Sequence, residues 1–267
     1  MSDPLPAAAE ITALHDHLLA DAGWPAAQPA ARDDGAWRWI QTNHAFNCRL
    51  WAEEDLARRT QVGDDAIAAN KRAIDGFNQA RNDATERVDE LLLLGLGLVD
   101  AASARTDAPL ARVPAGAKLN SETAGSMVDR MSIMALKIHA MRAQSLRSDV
   151  DDGHRAGSAV KLGRLVQQRA DLAACFDALL ADAKAGRSYF KVYRQFKMYN
   201  AARFNPALGA ELAHQGAPAR GLVASEAPPP TSGGVGELAH QGAPARGLVA
   251  SEAPPPTSGG VGGLTGS

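Results

Sequence analysis

Between Ser121 and Ser145 large apolar side chains fall on every side of a helical projection: Met127, Val128, Met131, Ile133, Met134, Leu136, Ile138 and Met141. A helix that is apolar all round has no face to give to water and belongs at the centre of other elements. The rest of the chain offers helices for that role, because Val, Ile and Thr never gather into alternating runs. The fold class expected is therefore all-α, a multi-helix bundle with two long helices and a buried central one. Periodicity and capping residues place helices at about 7–21, 36–59, 64–94, 121–145, 154–185 and 187–200. The Pro-rich stretch Pro25–Asp34 breaks the first from the second, Asp64 or Asp65 caps the third, Ser121 or Thr123 caps the fourth, and Gly186 stops the fifth.

Three segments follow from this reading: an N-terminal helix with its linker (1–35), a bundle domain (36–206) and a tail (207–267). In the tail, Glu211–Gly236 recurs unchanged as Glu237–Gly262, each copy carrying Ala-Pro-Pro-Pro-Thr-Ser-Gly-Gly. With few large apolar groups and no period, such a unit cannot offset the entropy of ordering and reads as disordered. A solenoid would need about three units with an apolar face. Setting aside the two arginines and four glutamates beyond Pro206 leaves 26 basic and 26 acidic residues out of 28 and 30 in the whole chain. A neutral body argues against nucleic acid as a partner. The longest apolar stretch, Leu91–Val99, is far shorter than the ~20 residues that span a bilayer, so no membrane insertion is expected. Two cysteines, Cys48 and Cys175, form neither a disulfide framework nor a zinc module, and with no signal-like start the expected location is the cytoplasm.

Polar residues where apolar ones are expected mark the candidate site. At about 100° per residue, Asn43, His44, Asn47, Glu54, Asp55 and Arg58 share roughly a third of the second helix, beside Trp39, Phe46 and Leu50. On the third helix, Lys71, Asn78, Asn82 and Asp89 share a side with Ile67, Ile74, Thr85 and Leu92, while Arg72, Asp83 and Glu90 point away. Three asparagines, Asn70, Asn78 and Asn82, carry a propensity cost that packing or a ligand should offset. The central helix holds Asp129, Arg130 and Lys137, and buried charges need partners. Carboxylates of Glu54, Asp55, Glu86 and Asp89 are the nearest candidates. Arg187, Lys191, Arg194 and Lys197 form a basic stripe opposite Tyr189, Tyr193, Phe196 and Tyr199, which should pack onto the bundle. Either a ligand site or a polar network that sets helix register accounts for these groups. Cys48, four residues after His44, reads as core and not as a metal ligand.

Four segments carry a family resemblance: Asn43–Asp55, Asn70–Asp83, Asn120–Ile133 and Lys191–Asn200. Together they resemble the bacterial domain of unknown function 4254 family over about residues 37–206. That resemblance implies a helical bacterial protein found near glycosyltransferases of lipopolysaccharide or surface-glycan assembly, and assigns no catalysis.

Three functions are expected to compete. The leading one binds a phosphorylated metabolite or nucleotide sugar, with Arg130, Lys137 and Arg194 on phosphate and Asn43, Asn47, Asn78 and Asn82 on hydroxyls. The second uses Glu54, Asp55, Glu86 and Asp89 to hold Mg²⁺ for phosphoanhydride hydrolysis, with His44 as proton carrier. Glu86-Arg-Val-Asp89 matches the E-x-x-D half of the metal site of helical nucleotide pyrophosphohydrolases, but the E-x-x-E half is missing. The third is a scaffold for a glycosyltransferase partner.

Overall fold

The computed structural model describes residues 5–26, 35–196, 198 and 201–214. Six helices carry the described chain: α1 (Ala8–Ala20), α2 (Ala36–Leu56), α3 (Asp64–Leu96), α4 (Ala124–Ser145), α5 (Asp152–Lys184) and α6 (Pro206–His214). Two short strands, β1 (Lys118–Leu119) and β2 (Ser188–Tyr189), pair in parallel. The first five helices lie within about two to three residues of their expected ends, because a long apolar period is the strongest local signal a sequence carries. No described helix is long and apolar enough to cross a membrane.

One compact unit runs through Val192 and holds α1 to α5; a second begins at Tyr193. Within the first, α4 touches α1, α2, α3 and α5, as a central helix must. Its core joins Ile11, Ile40, Val88, Leu92, Val128, Met131, Phe176 and Phe190. Caps fix where the helices begin. Thr123 accepts from the Ser126 amide at 3.1 Å and Asp151 from the His154 amide at 2.7 Å. At the head of α3 the expected cap shifts by one: Gly63 takes the N-cap position, and Asp64 and Asp65 sit in the first turn, where negative charge meets the positive end of the helix dipole. α1 is held to α5 by a bidentate pair, Arg169 Nη1 and Nη2 donating to Asp16 Oδ1 and Oδ2 at 2.6 and 2.9 Å.

Two expectations fail. Over the described part of the helix foreseen at 187–200, β2 is followed by irregular chain through Phe196. Gly186 adopts φ +71°, turning the backbone out of α5. The carbonyls of Arg187 and Tyr189 then accept from Lys118 and Asn120 at 2.9 and 2.8 Å. Burial alternates here, Phe190 and Val192 buried while Tyr189 and Lys191 are half-buried, so the period is two and not 3.6. Of the aromatic side expected to pack, Tyr189 lies half-buried against the core, whereas Tyr193 and Phe196 are exposed; Lys197 and Tyr199 lie outside the described residues. In the second unit, Pro206 opens a helix instead of closing the fold. Asn205 Oδ1 accepts from the Leu208 amide at 3.3 Å, and proline suits the first helical position. The tail read as disordered thus begins with helix, and beyond His214 that reading lies outside the described residues.

α3 and α4 cross closely at Gly125. A Cβ there would sit 2.4 Å from the Thr85 carbonyl oxygen and 2.9 Å from Asp89 Cγ, and a backbone oxygen cannot swing aside. Gly125→Ala should therefore lower stability by about 2 kcal/mol or more in chemical denaturation. An unchanged midpoint would mean that the crossing is not tight.

Candidate functional site

The polar residues of α2 and α4 meet in a seam whose third side is α3. On α2, Asn43, His44 and Asn47 lie on the face turned to α4, and all three are buried. On α4, Asp129 and Ser132 share the facing side one turn apart. Asn43 Nδ2 donates to Asp129 Oδ1 at 2.9 Å and to Thr85 Oγ1 at 3.1 Å. Asn47 Nδ2 reaches the same Asp129 oxygen at 2.9 Å, Ser132 Oγ at 3.0 Å and Asn43 Oδ1 at 3.2 Å. A carboxylate leaving water needs such donors to offset its lost hydration.

α3 supplies the cation. Asn78, Arg81, Asn82 and Thr85 follow the spacing i, i+3, i+4, i+7 and share one helix face. Arg81 Nε lies 3.8 Å from Asp129 Oδ1, with the two side chains 24% and 16% exposed. That Nε is buried and makes no hydrogen bond, while Arg81 Nη2 donates to Asn82 Oδ1 at 3.0 Å. The outer end of the seam is therefore an arginine and a carboxylate near contact, partly open to water, with Asn78 and Asn82 half-buried beside them.

The inner end is closed. His44 Nδ1 and Ser132 Oγ are 2.7 Å apart, and the His44 ring stacks on Trp24 and on His15 at centroid distances of 5.6 and 4.4 Å. Burial lowers the His44 pKa to about 4, partly opposed by a backbone hydrogen bond at His15. His15 is held well below 6.5 by burial first, then by His44 and Arg169. Trp24 Nε1 donates to Cys48 Sγ at 3.1 Å. Burial nevertheless raises that thiol to about 12, which makes it an inert core group, as expected. Asp89 lies apart from Asp129, accepting from the Gly125 amide at 2.6 Å, and burial pushes its carboxyl up to about 7.

Several expected site residues are not brought together. Arg130 and Lys137 lie on the exposed strip of α4, and Arg130 pairs with Glu122 at the surface. The all-round apolar pattern of α4 includes Ile133, Met134 and Met141, which are only half-buried and flank this strip. α2 divides along its length: Asn43, His44 and Asn47 are inside, while Glu54 pairs with Arg58 in solvent at 3.3 Å. Asp55 is half-buried, its pKa raised chiefly by burial. Lys71 is exposed and pairs with Asp75 at 3.1 Å. Arg194 belongs to the second unit. Glu90, expected to face outward, is buried and pairs with Arg87, whose guanidinium lies 5.6 Å from the Trp39 ring centre. Among the described residues no three His, Cys, Asp or Glu side chains are grouped to hold a metal ion, so Glu54, Asp55, Glu86 and Asp89 do not form the Mg²⁺ set. The residues missed were Arg81, Ser132 and His15. Arg81 and Ser132 could have been found by extending the Asn78 and Asp129 faces by one turn; nothing in the sequence marks His15 as buried.

The titration of these groups gives a signed expectation. Below about pH 6.5 the unfolded chain protonates His15 and His44 and the fold does not, so acid removes stability. Asp89 opposes this: the fold takes its proton from about pH 7 downward, the unfolded chain only near 3.8. Two protons refused against one accepted at Asp89, with Asp55 offsetting a further part, leave stability falling with acid by up to about 1.4 kcal/mol per pH unit between pH 6 and 4.5. Asp89→Asn should make the fall about twice as steep in urea melts across that range; equal slopes for the two proteins would contradict the assignment.

A family model described as a protein of unknown function (DUF4254) matches residues 37–192. The match takes in the Asn43–Asp55, Asn70–Asp83 and Asn120–Ile133 segments and ends at Val192, so Lys191–Asn200 falls almost wholly outside it. No curated protein and no solved structure matches the chain.

Proposed function

Because the chain belongs to the DUF4254 family, whose description assigns no activity, we propose a function from the seam itself: the bundle is a binding module for a phosphorylated, hydroxyl-rich metabolite of the nucleotide-sugar class. The observation that supports this is the half-buried Arg81–Asp129 pair at 3.8 Å, in which the guanidinium Nε has no hydrogen bond. Asp129 Oδ1 already accepts from two amides, so the guanidinium lies beside it with Nε left without an acceptor. An arginine fork suits phosphate, and a carboxylate flanked by half-buried amides suits sugar hydroxyls. The phosphate role thus passes from Arg130, Lys137 and Arg194 to Arg81, since Arg130 is turned to the surface and paired with Glu122. Asn78 and Asn82 read hydroxyls; Asn43 and Asn47 are already committed to Asp129 and hold it in place. The setting implied by the family resemblance, lipopolysaccharide or surface-glycan assembly, makes nucleotide sugars the first ligands to try.

Titration calorimetry with UDP-glucose, UDP-N-acetylglucosamine, GDP-mannose and glucose 1-phosphate tests the reading. At least one should bind, and Arg81→Met or Asp129→Asn should weaken it by about tenfold or more. Lys137→Met, outside the seam, should leave affinity unchanged. Silence of the folded wild type across the panel, or undiminished binding by Arg81→Met, would sink the proposal.

A further inference from the structure

We propose that the outer face of α5 is a self-association surface on which a second copy of the chain lays its own α5 antiparallel. The inference is independent of the ligand reading. α5 buries one face, through Leu172, Phe176, Leu179, Leu180 and Ala183. The opposite face presents Ala156, Val160, Gly163, Gln167, Ala170 and Ala174, all exposed and none charged. Their spacing alternates four and three residues, the pattern of a coiled-coil seam. Val160 is 57% exposed and Val166, on the flank, 42%. A helix face that stays in water is ordinarily charged, so an uncharged seam over this length is out of place on a free surface.

Gly163 sharpens the point. A Cβ there would meet nothing within 4 Å, so no contact inside the protomer requires glycine, although glycine within a helix costs stability. Small residues are needed where another backbone comes close.

Charge identifies the occupant and its direction. Arg164 and Asp171 are exposed on one flank of the seam, seven residues apart. In an antiparallel pair the same flank of both helices meets, so a two-fold axis near Gln167 sets each Arg164 against Asp171 of the other copy, twice. Gln167 Nε2 donates to Asp171 Oδ1 at 2.8 Å, which orients that carboxylate beside the axis. A parallel pair would instead set this charged flank against the apolar one and leave these charges unpaired. The other flank, Ala159, Val166 and Ala173, is apolar. The surface is thus complementary to itself, as a symmetric dimer interface must be.

Sedimentation equilibrium of the full chain across a concentration series tests this. The wild type should form a dimer, and Arg164→Asp or Asp171→Arg alone should weaken it by about tenfold or more, since each turns two attractions into two repulsions. The double variant Arg164→Asp with Asp171→Arg should recover wild-type dimerisation to within about threefold. Circular dichroism should report the same helix content for all four proteins. A monomer at every concentration up to about 100 µM overturns the proposal, as does a dimer whose strength ignores the charge reversals.

Discussion

One carboxylate oxygen, Asp129 Oδ1, accepts from the amides of both Asn43 and Asn47 and lies nearest the guanidinium of Arg81. Three helices are tied to that atom. A carboxylate drawn from water without partners would cost several kcal/mol, so the rotation of α4 that aims Asp129 at α2 is fixed as soon as the apolar core forms. The same rotation sends Arg130 and Lys137 to the surface, since residues 130 and 137 lie about 100° around the helix from residue 129. One turn toward its N-terminus, α4 comes so close to α3 that only glycine fits at 125, and Asp89 closes the gap through the Gly125 amide.

The seam therefore has two chemical halves. Its inner half buries Ser132, His44 and His15, with the half-buried Trp24 ring stacked on His44, and these groups are neutral. Two histidines stacked face to face could not both carry charge there, and burial keeps them neutral. The outer half carries the opposite charges of Arg81 and Asp129 at the edge of solvent. Fixed amides behind and mobile water in front are what a recognition site needs, because the polar groups are oriented before a ligand arrives.

Much of this was legible from the sequence. α1 to α5 follow from apolar periodicity, the Thr123 cap from residue type, and the central place of α4 from Met and Val on every side. The shared face of Asn43 and Asn47 follows from helical angles, and the need of Asp129 for partners from its place on an inner helix; that these meet is seen only in the structure. Less legible was which end of an arc reaches the interior: Glu54 and Asp55 share an arc with Asn43, but the helix carries them past the part of α2 that α4 covers. Periodicity assigns a side chain to a side, not to a depth. β2 escaped because four residues of alternating burial, Tyr189 to Val192, are too few to outweigh a basic, helix-like composition. His15 escaped because a lone histidine on an amphipathic helix gives no sign of its partner.

The account rests on Asp129 being held by the asparagines, and a double-mutant cycle tests that most directly. Unfolding free energies of Asn47→Ala, Asp129→Ala and the double variant should yield a coupling of about 1 kcal/mol or more. A cycle pairing Asn47→Ala with Lys137→Ala should give about zero. Additive losses at Asn47 and Asp129, within about 0.3 kcal/mol, would mean that the two side chains do not hold each other and that the seam is not the organising contact of this fold.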